Sequence, residues 1–74
     1  MSYIFNIMNT KSIGDFIRRR RRSLNIDQRS LSQVSGVAVH TLSNIEAGKG
    51  NPTVETLTRV LDAMGMELTI RVKE

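Results

Sequence analysis

The sequence predicts a mainly α fold, with four or five short helices in one compact domain and a single C-terminal β-strand. Three observations carry this reading. Apolar residues recur at helical spacing from Ile13 to Met64, glycines and capping residues interrupt that spacing, and beyond Gly65 the period changes from helical to alternating. At 74 residues the chain is near the size below which one core needs a metal, a disulfide or a second subunit. It has no cysteine and one histidine, His40. Neither a disulfide nor a zinc site is therefore available, and oligomerisation is the remaining support. The lack of cysteine also fits a reducing cytosol.

Residues 1–11 read as an N-terminal arm, in which Tyr3, Phe5 and Ile7 alternate as a short strand or pack on a neighbour. They lack the pattern of a signal peptide, and no apolar run approaches the ~18 residues of a membrane span, so a cytoplasmic protein without a membrane partner is expected. Residues 12–66 form the domain proper. The first helix is predicted to start at Ser12, an N-cap with Asp15 three residues on, and to end near Leu24 or Asn25, burying Ile13, Phe16, Ile17 and Leu24. A second follows the N-cap Asp27, turns Leu31 and Val34 inward and stops at Ser35-Gly36. The third runs from near Ala38 to Ala47, with Gly48 as its left-handed stop. Pro52 marks the next boundary, and Thr53 with Thr56 caps a fourth helix that buries Val54, Leu57, Val60, Leu61 and Met64 before Gly65. In residues 67–74, Leu68, Ile70 and Val72 alternate with polar residues as a strand does. A lone strand needs a partner, either the Tyr3–Ile7 stretch or the same strand of a second copy.

Charge is uneven. Residues 1–50 carry a net +5 and residues 51–74 a net −1, with an overall pI near 10.4. Such a balance favours a polyanion, since each Lys or Arg set against a phosphate releases condensed counterions, although basic domains also meet acidic proteins and membrane surfaces. The run Arg18 to Arg22 lies inside the first helix. Its members splay at 100° each, so they cannot all face one partner, and a solvated helix face is the plain alternative for any one of them.

Between Gln28 and Pro52 two short helices are separated by Ser35-Gly36-Val37-Ala38. The turn glycine lets them meet steeply, while Leu31, Val34, Val37, Leu42 and Ile45 pack them together. This is a helix-turn-helix, and the exposed face of its second helix is free for a DNA groove. The surrounding motifs, Ile13-Gly14, Arg21, Asp27-Gln28, Leu31, Gly36-Val37, Thr41-Leu42-Ser43-Asn44-Ile45-Glu46, Gly48-Lys49 and Asn51-Pro52-Thr53, make residues 13–66 resemble the Xre/Cro-type, lambda-repressor-like domains of phage repressors. With the C-terminal strand added, the chain resembles the HipB-type antitoxin repressors. Each motif is weak alone and the set is specific.

The resemblance implies a structural ion pair between Arg21 and Glu46, and a phosphate contact at Gln28. Leu42 and Ile45 point to the core, so Val39, His40, Ser43 and Asn44 are the candidate base readers, with Asn44 equally open to a phosphate contact or a helix-end cap. Arg18, Arg22, Arg29, Ala38, Thr41 and Lys49 are candidate backbone contacts. Two departures stand out: Ala38 replaces the usual capping Ser or Thr, and Arg20 occupies a place that is more often apolar, where it can snorkel along the core edge.

The chain has no cysteine nucleophile, no second histidine and no glycine-rich phosphate loop, so an enzyme is not expected, nor a cofactor or a metal. The expected function is a homodimeric repressor on a palindromic double-stranded operator. The resemblance adds a HipA-like serine/threonine kinase toxin as partner. The alternatives are a phage-type or stand-alone regulator and, from another class, a protein-interaction adaptor with vestigial DNA binding.

Overall fold

Three of the four helix starts are set by a side-chain cap hydrogen bond. The structure, a computed structural model, describes residues 9–70 and 72. Among these residues there are four helices, α1 (Thr10–Ser23), α2 (Gln28–Ser35), α3 (Val39–Glu46) and α4 (Val54–Ala63), and no strand. The fold is mainly α, as the periodicity predicts. The Tyr3–Ile7 alternation lies outside the described residues. Residues 66–70 carry no regular secondary structure, and Ile70 and Val72 are each 91% exposed, with Leu68 half-exposed.

α1 begins two residues before Ser12. The cap is Asn9, whose side chain accepts a 2.9 Å bond from the Ser12 backbone N–H. Its last turn carries Arg20, Arg21 and Arg22, which complement the negative end of the helix. Asn25, at a φ of 58°, turns the chain, and Asp27 then caps α2 by accepting from the Ser30 N–H at 2.7 Å. The Ser30 backbone and hydroxyl bonds hold the Asp27 carboxyl below its ordinary range. Gly36 ends α2 at a φ of 74°, in the left-handed region that costs glycine little. Thr53 caps α4 by accepting from the Thr56 N–H at 3.0 Å. At the other end of α4, Met66 N–H bonds back to the Leu61 carbonyl at 2.9 Å across Gly65. Arg20 closes that end from outside, with Nε and Nη2 donating to the Met64 carbonyl at 3.2 and 3.1 Å.

The core is Ile17, Leu31, Val37, Leu42, Ile45, Leu57, Val60, Leu61 and Met64, fringed by Ile13, Ile26, Ala63 and Met66. α1 packs on α3, and α2 packs on both α3 and α4. Four residues expected inside lie elsewhere. Phe16 and Leu24 are half-exposed because α1 turns the Gly14, Ile17 and Arg21 face towards α3, leaving them on its flank with Arg20. Val34 is 71% exposed, and Val37, just past the Gly36 turn, is the buried valine instead. Val54 is 66% exposed in the first turn of α4, ahead of the residues that reach the core.

α3 starts at Ala38, which makes no side-chain cap bond although its backbone is extended, with φ −58° and ψ 145°. A serine fits that backbone and supplies the missing acceptor. Ala38→Ser is expected to stabilise the domain by about 1 kcal/mol, raising Tm by roughly 4–8 °C in thermal melting. An unchanged Tm would mean that the α3 amides are already satisfied by solvent.

Candidate nucleic-acid interface

The two faces of α3 do different work. Inward, Leu42 and Ile45 are buried in the core. Outward, Ala38, Val39, His40 and Ser43 are exposed, with Thr41 and Asn44 half-buried at the margin. A helix with this division keeps one side for packing and leaves the other to solvent.

At its last residue α3 carries its one acid, Glu46, which is only 2% exposed. The carboxylate is surrounded by donors. Arg21 approaches as a fork, Nε donating to Oε2 at 2.7 Å and Nη2 to Oε1 at 2.9 Å, while its Nη1 donates to the Ile26 carbonyl at 2.9 Å. Gln28 Nε2 donates to Oε1 at 3.2 Å. Arg18 adds a bond from Nη2 to the Glu46 backbone carbonyl at 3.2 Å, and its Nε lies 3.6 Å from Oε1. Burial pushes the Glu46 carboxyl up, but the hydrogen bonds from Arg21 and Gln28 and the charges of Arg21 and Arg18 outweigh it and hold the group below its ordinary range. The hydrogen bond to Glu46 in turn raises Arg21, against its own desolvation. This cluster ties α1, the start of α2 and the end of α3 into one unit.

The run of five arginines is thus divided. Arg18, Arg20 and Arg21 are engaged with Glu46 or Met64, whereas Arg19 and Arg22 are exposed. Arg29 is also exposed, near the start of α2. Gln28 is half-buried, and its amide nitrogen is turned to Glu46.

His40, Thr41, Asn44 and Lys49 are brought together around a hollow of about 200 Å³ beside α3, completed by Ile45, Gly50, Asn51 and Pro52. Asn44 Nδ2 lies 3.4 Å from His40 Nε2, one turn away on the same helix. The hollow's far wall is the loop between α3 and α4. Gly48 and Gly50 both hold positive φ there, 73° and 75°, and a side chain at Gly48 would press on the Lys11 backbone of α1. Sequence reasoning read Asn51-Pro52 as a helix boundary and a family motif and missed its place in this hollow. The signal was the close spacing of Gly48 and Gly50, which bends the loop back along α3. Arg22, Arg29 and Arg18 do not line the hollow.

Among the described residues no group of His, Cys, Asp and Glu side chains is placed to hold a metal, and no helix is long and apolar enough to cross a membrane.

Comparison with known proteins agrees with this geometry. Residues 17–70 match the family model described as helix-turn-helix. Over 50 residues, 68% of the chain, the sequence is 40% identical to an uncharacterized HTH-type transcriptional regulator of Haemophilus influenzae, covering 51% of that protein. Over 56 residues, 76% of the chain, it is 36% identical to a second such regulator, from Sinorhizobium fredii, covering 73% of it. The chain spans about half the length of the first relative. With α2, α3 and α4 all inside the matched segment, the chain belongs to the helix-turn-helix family.

Proposed function

We propose that this protein is a sequence-specific DNA-binding transcriptional regulator that lays α3 in the major groove. The observation that carries the reading is the outward face of α3. It offers His40, Ser43, Asn44 and Val39 with no exposed acid, because the helix's one carboxylate is turned inward and neutralised. Phosphates flanking the groove meet no repulsion there. Lys49 at one end, with Arg22 and Arg29 on the exposed surface, supplies sequence-blind attraction, and Ala38 and Thr41 flank the readers. The backbone N–H of Gln28, at the positive end of α2, suits a phosphate. The relatives' naming as transcriptional regulators supports the same reading.

The protein acts as a homodimeric repressor on a palindromic operator, its two α3 helices about 34–36 Å apart in successive major grooves. Leu68, Ile70 and Val72 support the dimer, since three exposed apolar side chains at alternate positions fit a strand paired with its copy. The resemblance to HipB-type repressors extends this to the antitoxin of a HipA-like kinase that represses its own operon.

The experiment is binding to DNA from the protein's own promoter against scrambled DNA across a salt series. It is run with the full chain and with a chain cut after Met66, alongside sedimentation. Specific binding that weakens steeply with salt is expected, with monomers and weaker binding after the cut. Equal binding to both DNAs would replace this reading with a protein adaptor. A neighbouring gene for a kinase whose toxicity the chain relieves would carry the antitoxin role, and its absence would leave a stand-alone regulator.

A further inference from the structure

We infer that His40 is a positioning residue for Asn44, and that the pair reads adenine. This rests on the proposed reading of DNA by α3 and assigns its specificity. Asn44 Nδ2, an amide nitrogen, can only donate, so its 3.4 Å contact with His40 Nε2 is a hydrogen bond in the tautomer that carries the ring proton on Nδ1. One amide hydrogen is then held by the ring. The other, with Oδ1, remains as an adjacent donor and acceptor on the side away from His40. That edge matches adenine, which presents N7 as acceptor and N6–H as donor, and mismatches guanine, which presents two acceptors. An amide without this restraint can turn over and present the reverse order.

The experiment is selection from a pool of randomised DNA duplexes, read by sequencing. It is carried out with the wild type, Asn44→Ala, His40→Ala and His40→Gln. The wild type should enrich a palindrome with one adenine preference per half-site that Asn44→Ala removes. His40→Ala should weaken that preference about tenfold while other positions hold. His40→Gln offers an amide oxygen as the acceptor instead, and should keep the preference. A preference that persists in His40→Ala would overturn the inference and leave the regulator reading intact. No enriched site in the wild type would overturn both.

Discussion

Glu46→Ala is expected to lose about 3–5 kcal/mol, because it strands the Arg21 guanidinium, whose side chain is only 12% exposed, without a counter-charge. Two of the three Arg21 nitrogens lose their acceptor at once, as does the Gln28 amide. A chain of this size has a total stability of about 0.05–0.15 kcal/mol per residue, so the loss is comparable with the whole. Melting followed by circular dichroism should show Tm lowered by at least about 12 °C, or no cooperative transition. A variant melting within a few degrees of the wild type would mean that water replaces the carboxylate. The pH dependence follows from the direction of the shift. A carboxyl held below its ordinary value of 4.5 contributes stability above that value and loses it as the pH falls through its folded value. The wild type should therefore weaken on acidification below about pH 4.5, and Glu46→Ala should lack that component.

Gly14→Ala should destabilise the domain, although alanine is the better helix former. In an exposed helix the exchange gains about 0.5–1 kcal/mol. Here a Cβ would collide with the Ile45 carbonyl oxygen and stand 3.0 Å from that of Glu46. Both are backbone atoms and cannot swing aside, so α1 must lift from α3 above a core that includes Ile17, Leu42 and Ile45. Overpacking of this kind costs about 1–3 kcal/mol or more and outweighs the helical gain. The same shift lengthens the Arg18 and Arg21 bonds to Glu46, so Tm and operator affinity should fall together. A Gly14→Ala protein that melts at or above the wild type would show that the helices separate freely at this point.

These two sites show where sequence reading stops. Asp27, Thr53, Gly36, Gly48 and Gly65 carry their meaning locally, through a cap or a left-handed turn, and the structure has them in those roles. Leu31, Leu42, Ile45, Leu57, Val60, Leu61 and Met64 repeat at helical spacing and are buried. The start of α1 is expected at Ser12 and lies at the Asn9 cap instead, because both are capping residue types and spacing alone does not choose between them. Phe16, Leu24, Val34 and Val54 are apolar at the right period, yet periodicity marks a face without saying how far the neighbouring helix covers it. Gly14 enters the sequence reading only as part of the Ile13-Gly14 motif, and its reason, the close approach of the Ile45 and Glu46 carbonyls, comes from α3 across space. At the interface, the α3 face follows from the inward Leu42 and Ile45. The hollow does not, because it depends on a loop returning across space. Nor does the engagement of Gln28 and Arg18 with Glu46, 18 and 28 residues away.

Three cations of α1, Arg18, Arg20 and Arg21, find partners far downstream. Arg21 and Arg18 meet a residue 25 and 28 positions later, and Arg20 meets a carbonyl 44 positions later. On the ribosome, α1 therefore emerges before the partners of these arginines are made. While residues 46 to 64 are still being added, its guanidinium groups have only water, or a passing polyanion such as ribosomal RNA, to satisfy them. The same three arginines that lock the finished domain are, during synthesis, a short basic peptide open to the surface that produced it.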